Sequence, residues 1–452
     1  MQSGSERPDF EPRPLDYIEF LNWTTCSLSG GGTAFAFLSI FEGDLSAASV
    51  EQAWHVLCLR HPMLGATIRG TTSTLHFTPL DTFPKPQIQT TSSSSIVEQL
   101  LASVGDLEFP LGAPLFQPFA LLNPSSGRHA FLTVINHAGG DGDAVLKLHK
   151  EFAELVVEMG TTAATHLPMN RTLPPSWCEA LSPNRSPLRF FSSGLIELTR
   201  RIYCDFVPFE NYAPFKQRKT RHLIAIMDSA ATRSIIERAS KHHGMAAFAC
   251  ASLLQVQFAH MDELGLVDEH AKLVLTLPIN LRRFAEPNSS ISMGTFPHFS
   301  SVPFERNMPL PLASQRVRAA IDRVTRPDFA RSRIINWHSP HFTQRGLQRL
   351  LNSRYHFGPY TTHLGRHDLI KTDKLHCVAS FGYLQMQHCF NSLQASTRIV
   401  NNRLVVTMNY CEPIISHTTA LKLFRGYLRQ MGAGSCEVTD NYDEYVRLAL
   451  KA

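Results

Sequence analysis

The residues best suited to chemistry are a histidine and an aspartate, His137 and Asp141, in the stretch His137-Ala-Gly-Gly-Asp-Gly142. A neutral histidine titrates near physiological pH and can accept a proton from an attacking hydroxyl. The aspartate could fix the loop by pairing with a distant arginine, and the glycines remove Cβ atoms where the backbone turns or a substrate approaches. The spacing alone is equally compatible with a simple turn that holds a hydrogen-bonded histidine.

A predicted strand and a predicted helix flank this stretch. Residues 131–135 form a short, nearly continuous apolar run, which is typical of a strand buried on both faces. Residues 144–159 place apolar side chains at helical spacing. A histidine that follows a buried strand lies on a rigid support, and we expect it to face a cleft.

Length and composition indicate a two-domain globular protein. A chain of 452 residues predicts two domains of about 200 residues each. The apolar fraction of 43% and the charged fraction of 18% are typical of proteins with sizeable cores. Strand and helix patterns occur in both halves and predict the α/β (α+β) fold class. The formal net charge of +5 comes without a block of basic residues, so no nucleic-acid partner is predicted.

Cysteine usage and apolar run length bear on the cellular compartment. The nine cysteines are scattered without a Cys-x-x-Cys pair, which predicts reduced thiols in a cytoplasmic protein. No uninterrupted apolar run reaches the roughly 20 residues needed to cross a bilayer, so no membrane span is predicted. The adjacent pair His242-His243 lacks carboxylate or cysteine neighbours, and we predict no metal site.

One further helix carries clear boundary signals. Ser49-Val-Glu-Gln52 has the form of a capping box, which predicts that the helix starts there. Pro62 disfavours the helical conformation at the residue before it, so we expect the helix to end near Arg60.

The stretch His137–Gly142 resembles the HxxxDG motif of CoA-dependent acyltransferases with the chloramphenicol-acetyltransferase fold. Four other segments are similar to that superfamily in the same order, and together they cover nearly the whole chain. They are Trp54–Leu64 with its "RHPxL" turn, the helix pair Lys241–Gln257, the "PxxLR" strand end Leu277–Arg282, and Thr361–Gly365, which resembles the "SNLG" turn.

Two differences from known motifs indicate which branch of the superfamily the sequence resembles. Condensation domains of peptide synthetases carry two adjacent histidines, whereas Asn136 precedes His137 here. The DFGWG motif of the plant BAHD enzymes is not recognisable. The pattern therefore resembles stand-alone fungal O-acyltransferases of secondary metabolism more than either of these branches.

The resemblance implies two chloramphenicol-acetyltransferase-like domains with mixed sheets and an active-site tunnel between them. The N-terminal half, residues 1–170, carries the motif. Residues 171–219 are rich in proline and are expected to connect the halves. The C-terminal half, residues 220–452, would complete the tunnel.

Residue roles follow from the same resemblance. His137 would be the general base, while Asp141 would point away from the cleft and pair with Arg282 to support the catalytic loop together with Gly142. A buried carboxylate needs such a partner. Asp143 has no counterpart in the motif, and we expect it to be a surface or helix-start carboxylate.

The donor that stabilises the oxyanion is left open. The backbone N–H groups of Gly142, Thr361 and Thr362 are the alternatives, and the two threonines are equally candidates for substrate binding.

The implied function is transfer of an acyl group, expected to be acetyl, from acyl-CoA to a hydroxyl of a small hydrophobic alcohol. Acyl-CoA would be a co-substrate, with no bound cofactor. Two alternatives remain. An acyl carrier protein could present the thioester, or the protein could be a non-catalytic member that binds a hydrophobic ligand or guides its cyclisation. The intact motif argues against the last.

Overall fold

The structure, a computed structural model, is a mixed α/β architecture, as the sequence predicts. It describes residues 7–104, 108–159, 170–180, 204–205, 207–266, 270–284, 293–295, 297–327, 340–356, 358–388, 390–391, 393–434 and 436–451. About half of the predicted connection 171–219, namely residues 181–203 and 206, lies outside this part of the chain.

Helices and strands alternate along both halves. The helices are α1 (Tyr17–Ser29), α2 (Ala47–Arg60), α3 (Ile96–Val104), α4 (Gly142–Met159), α5 (Trp177–Ala180), α6 (Ser229–Ser240), α7 (Met245–Glu263), α8 (Leu310–Val324), α9 (Pro340–Leu351), α10 (His417–Met431) and α11 (Tyr442–Lys451). The strands are β1 (Arg13–Pro14), β2 (Phe35–Gly43), β3 (Ala66–Arg69), β4 (His76–Pro79), β5 (Gln87–Thr90), β6 (Phe116–Leu122), β7 (Arg128–Ile135), β8 (Val207–Pro208), β9 (Lys219–Ile226), β10 (Lys272–Asn280), β11 (Pro297–Glu305), β12 (Tyr355–His356), β13 (Tyr360–His367), β14 (Leu375–Leu384), β15 (Leu393–Val400), β16 (Arg403–Glu412) and β17 (Val438–Thr439).

The sheet of the N-terminal half has five strands in the order β14-β2-β7-β6-β5. Its middle strand, β7, is buried from its second residue to its end, which confirms the buried strand predicted at 131–135. The predicted helix is α4, and it packs on this sheet through the stacked rings of Phe131 and Phe152, whose centroids are 3.8 Å apart. The strand that leads into the motif is therefore rigidly held.

The sheet of the C-terminal half has seven strands in the order β11-β10-β13-β15-β16-β9-β17. The neighbours β10, β13 and β15 run parallel, while the other pairs are antiparallel. Apolar residues of α6, α7 and α10 pack in one buried cluster with residues of β9, β15 and β16. The sheet is mixed, as expected.

The two sheets meet through a shared apolar cluster. Leu38, Leu132 and Val134 of the first sheet pack in it with Ile224 and Val405 of the second. Burial of apolar side chains at such a junction stabilises the packing of one sheet on the other.

Strand β14 crosses from one half to the other. It belongs to the sequence of the C-terminal half but pairs antiparallel with β2, from Leu375 opposite Gly43 to Leu384 opposite Phe35. The chain then returns to the seven-stranded sheet through β15. The end of β14 is thus held beside the start of β2, next to the histidine loop.

Two local predictions need correction. Helix α2 starts at Ala47, because Ser46 caps it and the Ser49 hydroxyl accepts from the Ser46 N–H, so the capping box lies earlier than predicted. The end at Arg60 is as predicted.

The second correction concerns Thr361–Gly365, which lies within strand β13 and is not a turn. Parallel pairing with β15 keeps the segment extended, and the pairing is irregular between His363 and Arg366. The left-handed conformation of Gly365, with φ of 80°, lies at that irregularity.

Candidate active site

The histidine loop is a compact turn between β7 and α4. The Asn136 side chain accepts a hydrogen bond from the Ala138 N–H at 3.0 Å, and the Gly139 N–H donates to the Asn136 carbonyl at 2.9 Å. A Cβ on Gly139 would lie 2.8 Å from the Phe116 ring, so only glycine fits there. Asn136 therefore shapes the loop, a role that its sequence position alone did not reveal.

Asp141 and Arg282 form a buried ion pair across the two halves. Arg282 Nη2 lies 3.0 Å from both carboxylate oxygens of Asp141. The same carboxylate accepts the Ala144 N–H at 3.0 Å and so caps the first turn of α4. The guanidinium of Arg282, which follows strand β10, is only 3% exposed. The pair ties the start of α4 to the second half.

Asp143 is a second partner of the same arginine. Its Oδ2 lies 3.2 Å from Arg282 Nη1 and 3.0 Å from Lys147 Nζ. The residue lies in the first turn of α4, as expected for a helix-start carboxylate, but its contact with Arg282 was not predicted. No motif spacing marks that contact, because it arises only when the two halves meet.

Backbone contacts also hold the loop. The Thr295 hydroxyl donates to the His137 carbonyl at 2.6 Å, and Asn22 Nδ2 donates to the same oxygen at 3.4 Å. Arg282 Nη2 additionally donates to the Gly294 carbonyl at 2.8 Å. Sequence reasoning missed Thr295 and Asn22, since a residue that binds a distant backbone carbonyl leaves no pattern in the sequence.

His137 is a half-buried histidine on a cavity wall. Its ring centroid lies 4.9 Å from that of Phe35. Burial lowers the pKa of His137, and this effect exceeds the opposing attraction of Asp141 and of the carbonyls of His137 and Gly140. Within the part of the chain that the structure describes, no atom lies in good hydrogen-bond geometry to His137 Nδ1. The ring is held in the form that accepts a proton.

The cavity has a volume of about 230 Å³ and takes its walls from both halves. From the N-terminal half come Phe35, Phe37, His137, Asp141, Gly142, Asp143 and Leu146. From the C-terminal half come Pro278, Asn280, Tyr360, Thr362, His363, Leu364, Gln394, Ser396 and Asn409, with Gly382, Tyr383 and Leu384 of β14 closing one side. The histidine loop and the seven-stranded sheet thus line one shared cavity.

The two predicted threonines of β13 point in opposite directions, as successive residues of a strand must. Thr362 lines the cavity. Thr361 is 2% exposed, and its hydroxyl contacts Cys250 of helix α7 on the other face of the sheet. Gly142 lines the cavity at the start of α4, where a Cβ would meet only a Leu364 methyl at 3.5 Å. The structure therefore brings the side chain of Thr362, and not that of Thr361, to the cavity that His137 lines.

No protein-family model matches the sequence, and no curated protein matches it. Solved structures do. Trichothecene 15-O-acetyltransferase TRI3 from Fusarium sporotrichioides is 11% identical with a TM-score of 0.73, and the match covers 96% of this chain and 98% of that one. The condensation domain of the monacolin K polyketide synthase MokA is 14% identical with a TM-score of 0.70, over 93% and 97%.

The chain has the chloramphenicol-acetyltransferase-like fold. A mutant starter condensation domain of rhizomide synthetase in complex with C8-CoA and Leu-SNAC shares it too, with 11% identity, a TM-score of 0.67 and 94% coverage of both chains. The resemblance predicted from the HxxxDG motif is confirmed at the level of the fold.

Metal-ligand clusters and membrane-crossing helices are both lacking in the part of the chain that the structure describes. Among the described residues, no group of three or more histidine, cysteine, aspartate or glutamate side chains is arranged to hold a metal ion. Nor does any helix in that part of the chain combine the length and apolar character that a membrane crossing requires.

Proposed function

We propose that this protein is an O-acyltransferase that moves an acyl group, acetyl in the simplest case, from acyl-CoA to a hydroxyl of a small hydrophobic alcohol. The observation that carries the proposal is the position of His137, a half-buried histidine with a lowered pKa on the wall of a cavity built from both halves. The fold shared with an O-acetyltransferase and with condensation domains supports an acyl-transfer reaction.

In the proposed reaction, His137 accepts the proton of the alcohol as its oxygen attacks the thioester carbonyl. The tetrahedral intermediate carries the negative charge on the former carbonyl oxygen. When it collapses, the carbon–sulfur bond breaks and the CoA thiolate leaves. The imidazolium of His137 returns the proton to the sulfur, so the ester and free CoA are the products and the histidine is regenerated.

A donor for the oxyanion is assigned to Thr362 in this proposal. Its side chain faces the cavity, and its register partner on β15 is Ser396, another hydroxyl on the same face. A fixed donor in a mainly apolar cavity stabilises developing charge more than the same donor in water. The N–H of Gly142, at the positive end of α4, is a second candidate.

Asp141 and Arg282 are positioning residues in this scheme. They bind each other and the start of α4, and so keep the loop in place. The walls supplied by Phe35, Phe37 and Leu384 suit an apolar acceptor skeleton.

A second candidate function keeps the chemistry but takes the acyl group from a carrier-protein thioester. The likeness to the condensation domain of a polyketide synthase favours it. A non-catalytic ligand-binding role is the third candidate.

One assay separates these functions. The protein is incubated with acetyl-CoA and a panel of hydrophobic alcohols, with thiol release and product mass as readouts. We expect thiol release that depends on the alcohol, together with a product heavier by one acetyl group. Transfer only from acetylated carrier protein would support the second candidate, and absence of transfer from either donor would contradict the proposal.

A further inference from the structure

A row of polar side chains crosses the cavity face of the seven-stranded sheet. Register pairs Tyr360 with Gln394, Gln394 with Asn409, and Asn409 with His222 across four neighbouring strands. Residues paired in this way lie on the same face of a sheet. The first three line the cavity, so one wall of a mainly apolar space carries a polar row.

Asn409 in this row has an unsatisfied oxygen. Its side chain is 2% exposed, and Nδ2 donates to Gln394 Oε1 at 3.1 Å. Its Oδ1 is buried and has no hydrogen-bond partner among the described residues. Buried polar atoms without partners are rare in folded proteins, because each forfeits its hydrogen bonds to water.

Interchanging the oxygen and nitrogen of the two side-chain amides still leaves one buried polar atom of Asn409 unpaired. If Gln394 and Asn409 rotated their amides together, the contact between them would survive with the donor reversed, and the NH₂ of Asn409 would become the unsatisfied group. The pair cannot satisfy itself. A hydroxyl satisfies either arrangement, since it both donates and accepts.

The surroundings favour a single polar group on an apolar molecule. Tyr383 of β14 lines the cavity beside this row, with its ring centroid 5.2 Å from that of His222. Leu384 follows it on the same strand and also lines the cavity. A ligand at Asn409 would therefore meet aromatic and aliphatic surface around the one hydrogen bond.

We propose that Asn409, held by Gln394, binds a second hydroxyl of the acceptor, one that is not acylated. This inference rests on the proposed function and names its substrate class: alcohols with two hydroxyls on an apolar skeleton. One hydroxyl meets His137 while the other donates to Asn409 Oδ1. The span between the two residues then selects which hydroxyl is acylated.

The test uses α,ω-alkanediols and the primary alkanols of equal chain length, with acetyl-CoA as donor. In the wild-type protein, diols within a narrow range of lengths should show a KM about fivefold to tenfold lower than the matched alkanols, as one neutral hydrogen bond predicts. Asn409→Leu, similar in size, should remove that preference. A diol can bind by either of its two equivalent ends, which is a statistical advantage over the alkanol. This advantage is the same in the wild-type and variant proteins, so it does not affect their comparison.

Controls keep the result interpretable. Ser396→Ala changes another hydroxyl of the wall, one already bonded to Thr407, and should keep the diol preference. Asn409→Ala repeats the test if the leucine variant is poorly folded. A diol preference absent from the wild type, or preserved in the Asn409 variants, would overturn the inference. The inference would also be overturned if the Asn409 variants raised only the KM for acetyl-CoA. The amide N–H groups of the pantetheine arm of CoA could then be the donors to Asn409 Oδ1.

Binding separates this inference from the proposed function. Thermal shifts with diol or alkanol alone, without acetyl-CoA, report the Asn409 contact directly. Preferential stabilisation by diols that disappears in Asn409→Leu supports the binding site even if no transfer occurs. Transfer without any diol preference leaves the proposed function standing and rejects the site.

Discussion

Arg282 Nη2 lies 3.0 Å from each carboxylate oxygen of Asp141, and the two residues belong to different halves of the chain. The carboxylate also caps helix α4 through the Ala144 N–H. One side chain therefore fixes both the helix that follows the histidine loop and the approach of the second sheet. The loop is positioned by an ion pair that takes no part in the proposed chemistry.

The first prediction concerns this pair. Arg282→Ala should lower the free energy of unfolding by about 3–5 kcal/mol, because Asp141 then stays buried without its cation. Asp141→Ala should cost less, since Asp143 still lies 3.2 Å from Arg282 Nη1. The double variant should lose much less than the sum, as measured by urea unfolding of all four proteins. Asp141→Asn should recover part of the loss, since the amide oxygen can still cap α4. Strictly additive losses would mean that the two side chains are not coupled.

The threonines of β13 give the second prediction. Thr362→Val should lower kcat by about 10²-fold, the usual effect of removing an oxyanion donor. Thr361→Val is the matched control, because it removes an adjacent hydroxyl that faces Cys250 and not the cavity. Its kcat should stay within a few-fold of the wild-type value. Equal losses in the two variants would argue against Thr362 as the donor.

The sequence carries enough information to predict the loop but not the cavity. His137, Asp141 and Arg282 belong to local motifs, and the apolar run before them indicates a buried strand. The register that places Gln394 beside Asn409 depends instead on how β15 pairs with β16, and no local pattern encodes which face of those strands lines a cavity.

Two further features escaped prediction for related reasons. Strand β14 pairs with β2 although more than 300 residues separate them, and pairing at such separation is decided by tertiary packing. Thr361–Gly365 resembles a turn by motif, yet parallel pairing of Thr361, Thr362 and His363 with β15 keeps it in a strand. Local propensity and motif similarity cannot anticipate either outcome.

A third prediction contrasts two buried arginines. Arg398 is 4% exposed, and its described contacts are the Ser380 carbonyl and the Phe37 ring, with no carboxylate among them. Burial lowers the pKa of Arg398. Arg398→Met should therefore lower the free energy of unfolding by about 1 kcal/mol at most, or raise it, because the cost of burying a charge disappears.

The two arginines differ in what their removal leaves unpaired. The Ser380 carbonyl keeps a hydrogen bond from the Tyr445 hydroxyl at 3.1 Å when the arginine is lost. Arg282→Met, by contrast, leaves Asp141 and Asp143 without their guanidinium and should cost about 3–5 kcal/mol. Urea unfolding measures both variants. A larger loss for Arg398→Met than for Arg282→Met would contradict this account of the two sites.

The fourth prediction concerns stability at acid pH. His149 is buried between the Ser39 and Thr133 hydroxyls, at 2.9 and 3.0 Å, and burial lowers its pKa from 6.5 to about 3. Between these two values the unfolded chain binds a proton at this site and the folded protein does not. Stability from this group is complete above pH 6.5 and is lost as the pH falls, by about 2 kcal/mol at pH 5.

His149→Gln removes the titrating group and tests that assignment. The fall in the free energy of unfolding between pH 7.5 and pH 5 should be about 2 kcal/mol smaller in the variant, whatever its stability at neutral pH. Urea unfolding at the two pH values gives the difference directly. An identical pH dependence in both proteins would show that His149 is not the source.

The central claim is that His137 is the base of an acyl transfer, and the turnover of His137→Ala with acetyl-CoA and an accepted alcohol tests it most directly. His363→Gln is the matched control, since His363 lines the same cavity and bonds the Thr397 hydroxyl at 2.9 Å. We expect His137→Ala to lose about 10²-fold or more in kcat with its melting temperature and CoA affinity retained, while His363→Gln stays within a few-fold of wild type. A His137→Ala protein that keeps most of its turnover would contradict the account.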